Sequence, residues 1–249
     1  MRSRSVRLSR VPAAAHAAGL VAACAAILLA GCGGGGGSGI ADILARAEKA
    51  GEGIESYRMA ITMRITGEEA DDLRSEELVL EVNGNDVFLR DTLFDPESGE
   101  GTVIQEVVRA GDRQYRKYIS SGQWTEEEPT LGEEATMGYT SHIGDFLTNS
   151  VSASELGEEE VNGVRAVHLR FELSPENVSV LLPEAPDFSL EECEGGQADI
   201  WVDAASSFPV RYELLYRKVM VSHGMRRADV LIVIDITEIN GPVVIRPPL

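Results

Sequence analysis

From residue 57 onward, most of the chain consists of short segments in which apolar and polar residues alternate. In the first of them Met59, Ile61, Met63 and Ile65 share one parity, and most residues between them are polar. This period of two is typical of β-strands that bury one face. Short turn sequences such as Asn162-Gly163 separate successive segments. Strands joined by short turns pair with their sequence neighbours, so the sequence predicts one large antiparallel sheet.

Later segments continue the pattern. Leu78, Leu80 and Val82 extend the apolar face in the second strand. Further strands are predicted at 87–94, 102–109, 114–119, 123–125, 154–161, 164–173, 197–203, 210–221 and 227–238. Residues 230–236 are apolar at both parities except Asp235, which predicts a central strand covered on both faces.

Helical periodicity appears in two longer segments. Residues 40–54 place apolar side chains on one stripe, and residues 139–149 place Ile143, Phe146 and Leu147 on one face. A short third helix is predicted at 178–182, after Pro175. Because so long a sheet curls, the predicted fold is α+β: a large curved antiparallel sheet, or half-barrel, with an N-terminal helix, a mid-chain helical lid and an apolar interior.

The first 31 residues have the organisation of a lipoprotein signal peptide. Four arginines precede an apolar run that ends in Leu28-Leu29-Ala30-Gly31-Cys32. This pattern predicts cleavage before Cys32, whose sulfur is then thioether-linked to a diacylglycerol. An uncleaved membrane helix is the alternative, since about 20 apolar residues can span a bilayer. The Ala- and Gly-rich run ends abruptly at Cys32, which favours cleavage.

The remaining chain divides into three parts. Residues 32–39 are the lipidated cysteine and a Gly-rich tether that reaches roughly 15 Å; residues 40–241 are a single domain; residues 242–249 are a Pro-rich tail. The chain contains 41 Asp and Glu against 22 Lys and Arg, four of which leave with the signal peptide. Such acidity argues against nucleic acid and against electrostatic docking on anionic lipid. Attachment to the extracytoplasmic side of the cell membrane would then depend on the acyl chains of Cys32.

Catalytic and metal-binding motifs are not apparent. After Cys24 and Cys32 are accounted for, Cys193 alone remains, so an intramolecular disulfide is excluded. His142, His168 and His223 show no ligand spacing, and His168 lies on the polar parity of its strand, which predicts a surface side chain. Nucleophile-elbow, phosphate-loop and dinucleotide motifs are absent from the sequence. We therefore expect no enzyme activity, no metal and no cofactor.

The order of elements resembles the lipoprotein-carrier superfamily of LolA/LolB-like proteins and LppX/LprG-type lipoproteins. The similarity covers roughly residues 42–240. It is carried by Glu48-Lys49-Ala50 through Ile54-Glu55-Ser56-Tyr57-Arg58, Gly111-Asp112-Arg113-Gln114-Tyr115 with Gly122-Gln123-Trp124, Val161-Asn162-Gly163 through Leu169, and Asp199-Ile200-Trp201-Val202-Asp203 with Phe208-Pro209-Val210-Arg211. The resemblance implies an unclosed barrel that shelters the acyl chains of lipids or lipoproteins and brings no catalytic residue. LolA carriers are not lipid-anchored, so the chain departs from them at Cys32.

Two functions follow from this interpretation. The first is a carrier of a lipid or other hydrophobic ligand, bound between the apolar sheet face and the lid. Its predicted lining residues are Met59, Ile61, Met63, Ile65, Leu78, Leu80, Val82, Ile143, Phe146 and Leu147. The alternative is that these side chains fill a packed core. In that case the domain would be a sensor or interaction module that binds another envelope protein through its acidic surface or a sheet edge.

Overall fold

The computed structural model describes residues 37–67, 75–95, 97–131, 143–178, 188–189, 193–221 and 226–248. The predicted signal peptide, Cys32 and the tether up to residue 36 lie outside these ranges. So do residues 139–142 of the predicted lid helix and most of the short helix predicted at 178–182.

Two helices and twelve strands make up the described chain. The helices are α1 (Gly37–Gly51) and α2 (Ile143–Asn149). The strands are β1 (Ser56–Thr66), β2 (Ser75–Asn83), β3 (Asp86–Phe94), β4 (Gly101–Ala110), β5 (Arg113–Tyr118), β6 (Trp124–Glu127), β7 (Ser150–Val161), β8 (Val164–Leu173), β9 (Phe188–Ser189), β10 (Gly196–Asp203), β11 (Pro209–Val221) and β12 (Arg226–Thr237).

All these strands belong to one sheet, as the sequence predicts. The order is β6-β5-β4-β3-β2-β1-β12-β11-β10-β8-β7, and β9 pairs with the end of β11 outside this order. Every pairing is antiparallel. The sheet is open, because β6 and β7 stand at its two edges. The predicted α+β half-barrel is confirmed.

Tight turns mark one end of the sheet, which we call the turn end. The hairpin between β7 and β8 shows why: Asn162 and Gly163 both have positive φ, at 54° and 79°. That conformation matches the twist of antiparallel strands, and Asn-Gly is the residue pair that adopts it most readily. Hairpins β2–β3, β4–β5 and β10–β11 turn at the same end. The opposite end, which we call the loop end, carries the longer connections.

Helix α1 begins three residues earlier than the sequence predicts. Gly37 to Gly39 already belong to the helix, so the tether cannot extend beyond residue 36. The stripe of Ile40, Leu44 and Ala47 is buried against the sheet. We call the sheet face that α1 and α2 cover the inner face. Most of the apolar core lies between this face and the two helices.

Several local predictions need correction. Strand β7 starts at Ser150, directly after α2 and before the predicted residue 154. Strand β9 lies in a segment that the sequence predicts as loop. Strand β12 is central, but Leu231 and Val233 on its outer side are only half-buried, because no helix among the described residues covers that face.

The Pro-rich tail is also more ordered than its composition predicts. The Ser56 hydroxyl donates to the Gly241 carbonyl at 2.9 Å, and Asn83 Nδ2 donates to the Val243 carbonyl at 2.9 Å. The Val243 side chain is buried. These contacts fix residues 241–243 against the ends of β1 and β2.

Candidate ligand-binding face

The ten predicted lining residues lie together in one apolar cluster. In β1 and β2, Met59 pairs with Leu80 and Ile61 pairs with Leu78, so their side chains share one face of the sheet. Ile143 and Phe146 reach the same cluster from α2. The structure therefore brings together residues that are separated by as many as 88 positions, from Met59 to Leu147.

Exposure within this cluster rises toward the loop end. Met59, near the turn end of β1, is 2% exposed, whereas Ile61, Met63 and Ile65 are half-buried. Leu78, which pairs with Ile61, is half-buried too. Their partners on β12 are buried. The inner face thus has a wall on β1 and β2 whose apolar side chains the described residues leave incompletely covered, which we call the β1–β2 wall.

Helix α2 covers the part of the inner face that β8 and β11 form. Its Phe146 ring lies 6.0 Å from the Phe171 ring on β8 and 6.4 Å from the Tyr212 ring on β11, measured between centroids. Both separations fall in the range of favourable tilted aromatic pairs. The contact holds α2 on the sheet through apolar packing, as the lid prediction requires.

The aromatic floor beneath α2 was missing from the predicted site. Phe171, Tyr212 and Tyr216 are among the largest fully buried side chains. The alternation within β8 and within β11 already indicates that each of these side chains lies on the apolar face of its strand. Which strands lie opposite α2, however, depends on the sheet order, so the sequence alone could not assign them to the site.

The inner face becomes polar beyond β2. Asp91 pairs with Leu78 and with Gln105, and Gln105 Nε2 donates to Asp91 Oδ2 at 3.1 Å. Arg116 Nη1 donates to Gln105 Oε1 at 2.7 Å, and Arg116 Nε donates to Glu127 at 2.8 Å. Asp91 is 5% exposed, and its Oδ1 has no hydrogen-bond partner among the described residues. The apolar β1–β2 wall therefore continues into a buried polar network, which alternation alone did not reveal.

A second polar cluster lies on the outer face, around His168. Its side chain is 13% exposed and stacks on Trp201 with ring centroids 4.2 Å apart, so the predicted surface position is wrong. Its two ring nitrogens lie 2.7 Å from Asp199 Oδ1 and 3.0 Å from Glu159 Oε1. Trp201 Nε1 donates to the same Glu159 oxygen at 2.6 Å. The cluster ties edge strand β7 to β8 and β10.

Asp199 is the buried centre of this cluster. Burial would raise the pKa of its carboxyl, but hydrogen bonds from Arg170, Gln197 and His168 outweigh burial and lower the pKa. Arg170 Nε donates at 2.8 Å and Gln197 Nε2 at 2.5 Å. A carboxylate with all its acceptors engaged in this way stabilises the sheet rather than reacting with a substrate.

A cleft of about 540 Å³ opens at the turn end, beside the last residues of α1. None of the ten predicted residues lines it. Three of its lining residues, Asn162, Glu238 and Asn240, have φ between 52° and 54°. Asn240 Oδ1 accepts from the Glu55 amide at 2.9 Å, and Asn162 Nδ2 donates to the Val210 carbonyl at 3.0 Å. The polar groups of this cleft are thus used to hold the turns together.

Two absences can be stated for the described residues. No group of three or more His, Cys, Asp or Glu side chains is arranged there to hold a metal ion. Within the same ranges, no helix is long and apolar enough to cross a membrane.

Comparison with known proteins supports the fold. Models of protein families gave no match, and neither did curated protein sequences. Among solved structures, LprF from Mycobacterium bovis superposes with a TM-score of 0.51 at 13% identity, over 86% of this chain and 99% of that chain. Lipoprotein LppX from Mycobacterium tuberculosis gives a TM-score of 0.49 at 16% identity, over 84% and 99%.

The superposition on LprF defines a class of fold. The chain is an open antiparallel half-barrel with helices on its inner face, and it shares this architecture with LprF over nearly the full length of that protein. The predicted open half-barrel is thereby confirmed as a fold that this chain shares with LprF. At such low identity the likeness concerns the fold alone, so function has to be argued from the residues of this chain.

Proposed function

We propose that this protein is a lipid-anchored lipoprotein of the extracytoplasmic cell envelope that binds or carries a hydrophobic ligand under α2. The observation that carries the proposal is the β1–β2 wall: Ile61, Met63, Ile65 and Leu78 face inward yet are incompletely covered. Exposed apolar side chains grouped on one concave face are a common feature of ligand sites. Met63 in this wall suits it to acyl chains of varied shape, because methionine side chains adapt easily.

The chemistry of the face supports binding rather than catalysis. The inner face presents aliphatic and aromatic side chains beneath α2. The ionisable groups at its β3–β6 end are engaged with one another through Gln105, Arg116 and Glu127. An arrangement of this kind can hold acyl chains away from water while a polar head group remains near the rim.

Native mass spectrometry of the protein purified from its own membrane tests the proposal. We expect a lipid-sized mass that survives gentle ionisation and disappears after delipidation, followed by renewed uptake from vesicles. Protein that carries no lipid and takes none up would contradict ligand binding and leave the packed-core interpretation in its place.

Met63→Gln should reduce lipid uptake severalfold. The substitution keeps the length of the side chain but places an amide on the β1–β2 wall, where contact with an acyl chain would cost that amide its hydrogen bonds to water. Arg64→Gln is the matched control, because Arg64 is the next residue along β1 and is exposed on the other face. Vesicle-uptake assays on both variants compare the two faces. Equal lipid uptake by Met63→Gln and Arg64→Gln would show that the β1–β2 wall does not contact the ligand.

A protein-interaction module remains the second candidate, and the β7 edge is the observation that favours it. Val151 and Leu156 on this edge are 68% and 50% exposed. However, β7 carries two register shifts, one beside Gly157, and several glutamates, features that discourage edge-to-edge pairing. Specific capture of an envelope protein, abolished by Leu156→Glu and not by delipidation, would support this second function.

A further inference from the structure

The hydroxyl of Tyr212 is buried on the inner face without a hydrogen bond to any of the described residues. The Tyr212 side chain is 1% exposed, and its hydroxyl has no partner among the described residues. Burial raises the pKa of Tyr212 further above its already high ordinary value, so the group stays protonated and can donate. Buried tyrosine hydroxyls normally find a partner, so an unsatisfied one calls for an explanation.

Strand register places Tyr212 in line with the β1–β2 wall. Tyr212 pairs with Ile234, Ile234 pairs with Ile61, and Ile61 pairs with Leu78. These four residues form one row across β11, β12, β1 and β2. Since neighbouring strands lie about 4.8 Å apart, Tyr212 stands roughly 10 Å from Ile61 along the row. A chain that contacts Ile61 and Leu78 can therefore reach the Tyr212 hydroxyl without leaving the inner face.

Helix α2 packs against the ring that carries this hydroxyl. Phe146 packs on the Tyr212 ring, and an aromatic ring offers a phenol no carbonyl or carboxylate acceptor. A ligand that takes the place of Phe146 over Tyr212 would meet a donor in apolar surroundings, where a hydrogen bond is stronger than in water. In an acyl lipid the acceptor nearest the chain is the carbonyl oxygen, which is bonded to the first carbon of that chain.

We propose that the Tyr212 hydroxyl donates a hydrogen bond to an acyl carbonyl oxygen of the ligand, so that the site selects ester- or amide-linked lipids over ether-linked lipids of equal chain length. The inference rests on the proposed function, because it requires an acyl chain beneath α2. Tyr212 is then the residue that distinguishes an acyl chain from an alkyl chain. The β1–β2 wall supplies affinity for either.

Dipalmitoylglycerol and dihexadecylglycerol make a matched pair of probes, since they differ only in carbonyl oxygens. We expect the delipidated wild-type protein to bind the ester about tenfold more tightly, the factor that one net hydrogen bond supplies. Tyr212→Phe should bind both lipids with the affinity that the wild type has for the ether. Displacement of a fluorescent fatty acid gives both constants.

The stability of the ligand-free protein distinguishes this role of Tyr212 from a purely structural one. If Tyr212 were only structural, Tyr212→Phe would lower the stability. Removing an unsatisfied buried hydroxyl should raise the urea midpoint of ligand-free Tyr212→Phe. Tyr115→Phe, on the outer face between Val108 and Glu126, is the control and should change neither lipid preference nor midpoint.

The outcomes separate the two proposals. If the wild type binds the ester and the ether equally, or if Tyr212→Phe lowers the urea midpoint, the role proposed for Tyr212 is contradicted. The proposal that the protein binds a hydrophobic ligand is then unaffected. If neither lipid binds and no other amphiphile displaces the probe, the proposed function fails together with the inference.

Discussion

Replacing Cys32 with serine should move the protein from the membrane to the soluble fraction. A serine hydroxyl cannot form the thioether to diacylglycerol, so the acyl chains would be lost. Each buried methylene contributes about 0.8 kcal/mol to membrane binding, and two chains are needed for a stable anchor. The strongly acidic domain offers no electrostatic attraction to anionic lipid in compensation. Fractionation of cells that express each form, followed by immunoblotting, measures the shift.

Cys193→Ser is the matched control for this experiment. Cys193 is buried in the folded domain and is free of any disulfide, so its replacement should leave the protein in the membrane fraction. Wild-type protein whose N-terminal peptide still carries the leader would instead support the uncleaved membrane helix. Mass spectrometry of the N-terminal peptide distinguishes these two forms directly.

Replacing Asp199 with alanine should destabilise the domain by about 2–3 kcal/mol at neutral pH. The variant removes the acceptor of hydrogen bonds from three side chains, His168, Arg170 and Gln197. Those from the Arg170 guanidinium are charge-assisted, and such bonds contribute more than neutral ones. Urea unfolding, followed by tryptophan fluorescence, measures the loss. Asp112→Ala, in the exposed β4–β5 turn, is the control and should unfold near the wild-type midpoint.

The same carboxylate predicts a pH dependence of stability. The pKa of Asp199 is lower in the folded state than in the unfolded chain. Its contribution to the free energy of unfolding is therefore fully present at pH values above the unfolded pKa of about 4. The contribution is lost as the pH falls through the folded pKa. Asp199→Asn should therefore lose less stability on acidification than the wild type does. Identical acid slopes for the two proteins would show that Asp199 does not contribute through its charge.

Much of the fold could be predicted because the relevant signals are local. Alternation located the strands, and the ends of β10, β11 and β12 agree with prediction to within one residue. The Asn162-Gly163 turn was recognised because its backbone conformation depends on those two residues. The start of α1 at Gly37 was missed, because glycine has low helix propensity and a run of glycines does not predict a helix.

The site was only partly predictable, since it depends on which strands become neighbours. Met59, Leu80 and Phe146 were assigned correctly to one apolar cluster from their parity and spacing. Tyr212 carries the same parity signal, yet its place beneath Phe146 follows from the pairing of β11 with β12 across more than a dozen residues. His168 was predicted to be a surface residue because its own strand does not cover it. Trp201 and Asp199 cover it, and both lie on the neighbouring strand β10.

The sequence by itself predicted a lipid anchor at Cys32, and it determined the antiparallel sheet and the face on which the apolar side chains of the alternating strands lie. Those properties follow from short-range patterns: a leader, a period of two and turn chemistry. Only the tertiary structure decided that β1 and β12 are neighbours. It also decided that, among the described residues, the β1–β2 wall is half-covered and the Tyr212 hydroxyl has no hydrogen-bond partner. These features arise from contacts between distant segments, whose geometry depends on how the whole sheet curves and packs.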